Sequence, residues 1–260
     1  MGRIITLLTD FGNRDAYAGV MKGVILNINP QAAIVDITHE IEPQNILQAA
    51  YVLKTASQYF PEGAIHVIVV DPGVGTDRKA VVVRTSKALF VAPDNGVLSY
   101  VHHEGKVLER ISLIHPEYWR QPVSRTFHGR DIFAPVAAHL SLGVPPHRLG
   151  EKLKSINLLA DCRPMVSADH TIYGKVIHID RFGNLITNIS VDDLPAAEIE
   201  VKIKGRSIGG LSATYAEGGE LLALLGSDGH LEIGVRNGSA SSLLGATYED
   251  VVEIKAKTAI

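Results

Sequence analysis

Strand-like and helix-like segments alternate through the first seventy residues, and no other feature narrows the fold so far. "IITLLTDF" is a short β-rich apolar run, followed by "DAYAGVMKGVILNINP", in which Ala16, Val20, Val24 and Ile25 recur at helical spacing before Pro30. "AAIVDIT" then predicts a second strand and "AIHVIVVD" a third. Between them, "PQNILQAAYVLKTASQYFP" predicts a helix with Ile46, Ala50, Leu53 and Ala56 on one face. Such alternation specifies an α/β domain, a mixed, mostly parallel sheet flanked by helices. "KAVVVRTS", "ALFVAPDNGVLSYV" and "KVLERI" read as short strands joined by turns, which adds antiparallel members. "DIFAPVAAHLSLG" reads as a helix closed by Gly143.

Beyond residue 157 the texture changes. "NLLADCRPMVSADH" loses its periodicity, and from "TIYGKVIHID" onward four- to eight-residue strands alternate with Gly, Asp, Asn and Ser turns. We read residues 1–160 as the α/β domain, 161–170 as a linker and 171–260 as a C-terminal all-β barrel or sandwich. A formal charge of -3 lacks the basic excess of nucleic-acid binders, and no apolar run is long enough to span a bilayer. The single cysteine, Cys162, has no intrachain partner, which suits a reducing cytoplasm. A small-molecule ligand is the expectation, with neither nucleic acid nor membrane as partner.

Four short motifs carry polar side chains to places where ligands bind. "TDFG" resembles a kinase magnesium loop, but only eight residues precede the motif, which leaves no room for the other kinase elements. Asp10 instead marks the carboxyl end of the first strand, where open α/β sheets bind ligands. A helix-capping or turn role is the plain alternative. "VVDPGVGTDR" lacks both the terminal Gly-Lys-Ser/Thr of a Walker loop and the third glycine of the dinucleotide fingerprint. What remains is Asp71 at a strand end and Arg78 beyond a turn, a catalytic or a structural ion pair.

"RTFHGRDIFAP" places His128 beside a glycine at the mouth of a helix, whereas His66 and His178 lie within strands and read as packing residues. No close pair of histidines suggests a metal. In "HIDRFGNLITN", Asp180 could hold an ammonium group and Asn184 could read a heteroaromatic edge, although Gly183-Asn184 is equally good hairpin chemistry.

In this order, "TDFG", "THEIEPQNILQAA", "VVDPGVGTDRKAVVVRT", "APDNGVLS", "TFHGRDIFAPVAAHLSLG" and "IDRFGNLITN" resemble the S-adenosyl-L-methionine (SAM) hydroxide adenosyltransferases, or SAM hydrolases, relatives of the SAM-dependent fluorinase and chlorinase. The resemblance spans nearly the whole chain. It implies a homotrimer that binds SAM between domains of adjacent subunits and needs no cofactor, SAM being the substrate and adenosine a product. It implies further that Asp71, Arg78 and His128 handle the attacking water. Asp10 would grip the ribose hydroxyls, Asp180 the methionine ammonium and Asn184 the adenine, with Ser227 near the methionine carboxylate. The halogenases follow that serine with arginine, where this chain has Asp228. They also have tyrosine and threonine where it has Asp71 and Val74, which counts against halide as nucleophile. Two alternatives stay open: a halogenase of the same fold, and a SAM- or adenosine-binding module without turnover.

Overall fold

The computed structural model describes residues 4–217 and 219–257. The chain divides after Leu159 into two compact units. The first is built on a seven-stranded sheet of β1 (Ile4–Thr9), β2 (Ala33–Thr38), β3 (Ile65–Val69), β4 (Ala80–Thr85), β5 (Leu89–Pro93), β6 (Val107–Leu113) and β7 (Gly150–Lys152), in the order β2-β1-β3-β5-β4-β6-β7. The β2-β1-β3-β5 half is parallel and the β5-β4-β6-β7 half antiparallel, so the antiparallel members supply half of the pairings.

This unit carries α1 (Tyr17–Ile28), α2 (Ile46–Ser57), α3 (Ser99–Glu104) and α4 (Ala134–Ser141). β3 is buried at every position, as expected of a strand covered on both faces. Asn45 caps α2 by accepting the Gln48 N–H at 2.9 Å. Met21 and Ile25 of α1 and Val136, Ala137 and Leu140 of α4 enter one core with Ile5, Leu7, Ile65 and Val67 of the sheet.

Two expectations need correction. The buried face of α1 is Ala18, Met21 and Ile25, while Val20 is exposed. Apolar residues surround this helix, so spacing alone left its inward face ambiguous. Residues 99–104, read as part of a strand-and-turn segment, form α3 after a turn in which Gly96 adopts φ +98°. A Cβ there would meet Leu159 at 2.8 Å, and a six-residue helix is too short to display a period. His66 is buried as expected, its ring between Phe60 and Phe90 and its Nδ1 2.8 Å from Thr6 Oγ1.

The second unit is an antiparallel sheet of β8 (Met165–Val166), β9 (Ile172–Ile179), β10 (Leu185–Ser190), β11 (Ile199–Ile203), β12 (Arg206–Gly209), β13 (Leu221–Leu225), β14 (His230–Val235) and β15 (Val251–Ala256), with one short helix, α5 (Ala240–Leu244). The order is β12-β11-β15-β9-β10-β14-β13, with β8 beside β9. Its end strands β12 and β13 approach each other, giving a nearly closed barrel. Val176, Leu185, Val201, Leu231, Ile233 and Ile254 fill its interior. Residues 161–170, read as linker, include β8, which pairs with β9 in the barrel unit.

Candidate active site

In the first unit the polar motifs gather where β1 and β3 end. Asp71 and Arg78 bracket the turn between β3 and β4. Arg78 Nε donates to Asp71 Oδ1 at 2.9 Å and Oδ2 at 3.1 Å, and Nη2 also donates to Oδ2. Nη2 reaches His128 Nδ1 at 2.7 Å. Sequence separations of seven and fifty residues thus close into one Asp71–Arg78–His128 chain. The Asp71 and Arg78 side chains are only 4% and 10% exposed, and the guanidinium lies 5.3 Å from the buried Phe133 ring centroid. An ion pair this enclosed depends on its geometry, because either member alone would be a poorly solvated charge.

The glycine-rich turn is built for close approach. Val74 and Thr76 turn their N–H groups onto the Asp71 and Gly73 carbonyls, so those amides do not form an open anion cradle. Gly75 sits at φ +79°, and a Cβ there would lie 2.3 Å from the Arg125 carbonyl oxygen. A side chain at position 75 would push the turn away from the 120–128 segment that carries His128. Asn95, at the end of β5, donates to the Val70 carbonyl at 2.9 Å and so braces the backbone just before Asp71.

His128 precedes a π-turn at Gly129–Phe133, which leads into α4. Such turns often occur where a helix must present a functional group. Burial lowers the proton affinity of His128 and the Arg78 charge lowers it further, while Asp71 and Asp131 oppose them with a smaller effect. Arginine has donors only, so His128 Nδ1 accepts from Arg78 and the neutral ring carries its proton on Nε2.

Asp10 follows β1 and accepts the Gln44 N–H at 2.9 Å. Gln44 holds φ +66°, an unusual conformation for a residue with a side chain, and it aims this amide at the carboxylate. Burial raises the Asp10 pKa, the Gln44 amide and the backbone N–H of Asp10 itself offset part of that, and the nearby Asp71 charge raises it again. Phe11, Tyr17 and Phe127 meet edge to face or tilted, with centroids 5.2 to 5.7 Å apart, and link the Asp10 turn to the residue before His128.

The second unit holds the remaining candidates. Asp180 Oδ1 accepts the Phe182 and Asn184 N–H groups, and Oδ2 accepts Asn184 Nδ2, all at 2.9 Å. Gly183 supplies φ +84°, and a Cβ there would clash with Ser239. The hairpin alternative is therefore realised, and Asp180 and Asn184 are the pair that closes it. Ser227 lies exposed in the turn between β13 and β14, next to Asp228.

Several neighbours escaped the sequence reading. Tyr215 donates to Glu232, whose pKa burial raises despite that bond, with Asp180 and Asp228 raising it further. Gln44 gave no signal, since nothing in "EPQN" predicts a left-handed residue. Asn95 lies in the quoted "APDNG", where an Asn-Gly turn was legible and the bond to Val70 was not. Among the described residues, no group of three or more His, Cys, Asp or Glu is placed to hold a metal ion, and no helix is long and apolar enough to cross a membrane.

The chain thus joins an α/β unit, with an Asp–Arg–His chain at its strand ends, to a β-barrel unit. The family model for the SAM hydroxide adenosyltransferase N-terminal domain matches residues 5–150, and that for the C-terminal domain matches residues 174–253. The chain belongs to the SAM hydroxide adenosyltransferase family. The (R)-S-adenosyl-L-methionine hydrolase of Methanocaldococcus jannaschii is 41% identical over 96% of this chain and 95% of its own. A fluorinase of Nocardia brasiliensis is 30% identical over 88% of this chain and 89% of its own. The crystal structure of an uncharacterized conserved protein from Thermotoga maritima superposes with a TM-score of 0.87 at 41% identity, covering 96% of this chain and 99% of that one.

Proposed function

We propose that this enzyme hydrolyses SAM, water attacking the ribose C5′ carbon in line with the C–S bond to give adenosine, L-methionine and a proton. The observation that carries the reading is the enclosed Asp71–Arg78–His128 chain at the end of β3. The relative named a hydrolase is also closer in sequence than the one named a fluorinase.

The chemistry suits these groups. The sulfonium departs as a neutral thioether, so the leaving group needs no acid. The difficulty lies in holding a water and removing its proton. Arg78 stays charged and favours the developing hydroxide, and Asp71 fixes the guanidinium. His128 is neutral near pH 7 because burial and Arg78 both disfavour its protonation. It receives the proton at Nδ1, where the water takes the place of the Arg78 Nη2–H while the guanidinium stays on Asp71. Opposite charges are consumed in this step, so exclusion of bulk water favours it. Asp10 holds the ribose hydroxyls, Asp180 the ammonium, Asn184 the adenine and Ser227 the carboxylate. We also propose a cytoplasmic homotrimer. Light scattering tests the trimer, which should weigh about 84 kDa, three times the 28.0 kDa chain; a 28.0 kDa monomer would contradict it.

The relative's name specifies the (R) sulfonium epimer. The test is to incubate the protein with each epimer of SAM, with and without chloride, and to identify products by chromatography and mass spectrometry. Adenosine with methionine in both buffers is the expected result, with the (R) epimer turned over faster. A 5′-chlorinated nucleoside would establish the halogenase instead, and bound but intact SAM the non-catalytic module.

A further inference from the structure

Three residues beyond His128, Asp131 is 0% exposed, and its carboxylate and backbone bond to the segment that carries that histidine. Its carboxylate accepts from Arg130 Nε at 2.7 Å and Nη2 at 2.8 Å, from Arg120 Nη1 at 3.3 Å and from the Ser124 backbone N–H at 2.8 Å. Its own N–H donates to the Phe127 carbonyl at 3.2 Å, and its carbonyl accepts the Arg120 N–H at 2.9 Å. One residue thereby binds positions 120, 124, 127 and 130. Burying a carboxylate is costly, and two guanidiniums and an amide offset that cost only while the segment keeps this shape.

We propose that Asp131 is a positioning residue for the hydrolysis: its buried carboxylate folds residues 120–131 into the one arrangement that seats His128 Nδ1 on Arg78. This rests on the reading of His128 given above. Two further contacts agree with it. Arg130, held by Asp131, stacks over Phe127 at 5.3 Å, which fixes the residue before His128. Gly129 is tightly packed, a Cβ there meeting Met21 and Phe127 at 3.1 Å and Val69 at 3.4 Å, so the segment has little room to shift. Asp131 also acts on His128 electrostatically. The charged groups that bear on the imidazole are Arg78 and Asp71 from the β3–β4 turn and Asp131 from its own segment.

The test combines kinetics with a histidine titration by NMR, the His128 signal being assigned from its absence in His128→Gln. Asp131→Asn should lower kcat between about tenfold and a hundredfold with KM for SAM within about twofold. The His128 titration should move down, because an anion that favours its protonation is lost. Unchanged kcat and an unmoved His128 titration in folded Asp131→Asn would overturn the proposal. Should Asp131→Asn fail to fold, Arg120→Gln, at the rim, keeps it testable. That variant should lower kcat about threefold with KM for SAM within about twofold; an unchanged kcat would equally overturn it. If the parent protein fails to hydrolyse SAM, the functional reading falls, and the NMR shifts still decide whether Asp131 governs His128.

Discussion

Asp71 and Asp180 both sit at a strand end beside a glycine-containing turn, yet they are held in different ways. Asp71 is bound by a side chain seven residues on, which is in turn bound to one fifty residues further. Asp180 is bound within four residues, by the N–H groups and side-chain amide of its own hairpin. The first arrangement exists only when the whole α/β unit is folded. The second is local and would close a hairpin whatever the protein did. A long-range ion pair enclosed at a strand end therefore points to chemistry more strongly than a carboxylate satisfied by its own turn, and Asp180 has to serve a ligand and a turn at once.

The largest effect should come from breaking the long-range chain. Arg78→Met leaves Asp71 enclosed without its cation, so unfolding in urea should show a loss of about 3–5 kcal/mol and adenosine release should nearly cease. Retained turnover in that variant would reduce Asp71–Arg78 to a structural pair. His128→Ala, which leaves the ion pair in place, should lower kcat by roughly 10²- to 10⁴-fold while calorimetry finds SAM binding little changed. Because the His128 pKa is depressed, the acid limb of the parent kcat profile should lie below pH 6.5.

Acid should also weaken the first unit. His66 is buried in the first with its pKa lowered to about 4 from 6.5, so the unfolded chain binds a proton across that window and the folded unit does not. Stability is thus full above pH 6.5 and falls as pH drops toward 4, by roughly 3 kcal/mol. The chain's one tryptophan, Trp119, lies in that unit, and its fluorescence should report a transition that moves to lower urea between pH 7 and 4.5. A His66→Gln variant with the same pH dependence would rule this origin out. The smallest effects are expected at the binding residues. Asp180→Ala should cost about 1–3 kcal/mol of stability from its lost turn and weaken SAM more than adenosine, whereas Asp10→Ala should weaken both ligands alike. Equal losses on both ligands in the two variants would erase the division of labour between them.

What was legible in the sequence follows the same divide. The strand and helix alternation, the barrel texture and the hairpin at Gly183-Asn184 are local patterns, and residue spacing reports local patterns well. Asp71 and Arg78 were readable as a pair because one turn separates them. Spacing could not show that Arg78 reaches His128, since fifty residues intervene and only the resemblance to a family joined them. Gln44 and Asp131 stayed hidden for a related reason. Gln44 acts through its backbone conformation, and Asp131 through burial that a lone "RD" in a motif does not disclose. The inward face of α1 could not be read from spacing because apolar residues surround that helix, and packing against α4 and the sheet decides which of them are covered.

Turnover in water enriched with oxygen-18 tests the central claim most directly. In-line attack on C5′ places the solvent oxygen in adenosine, so mass spectrometry should find one heavy oxygen in every adenosine formed and none in the methionine. Unlabelled adenosine, or a product that retains sulfur on the ribose, would contradict the account.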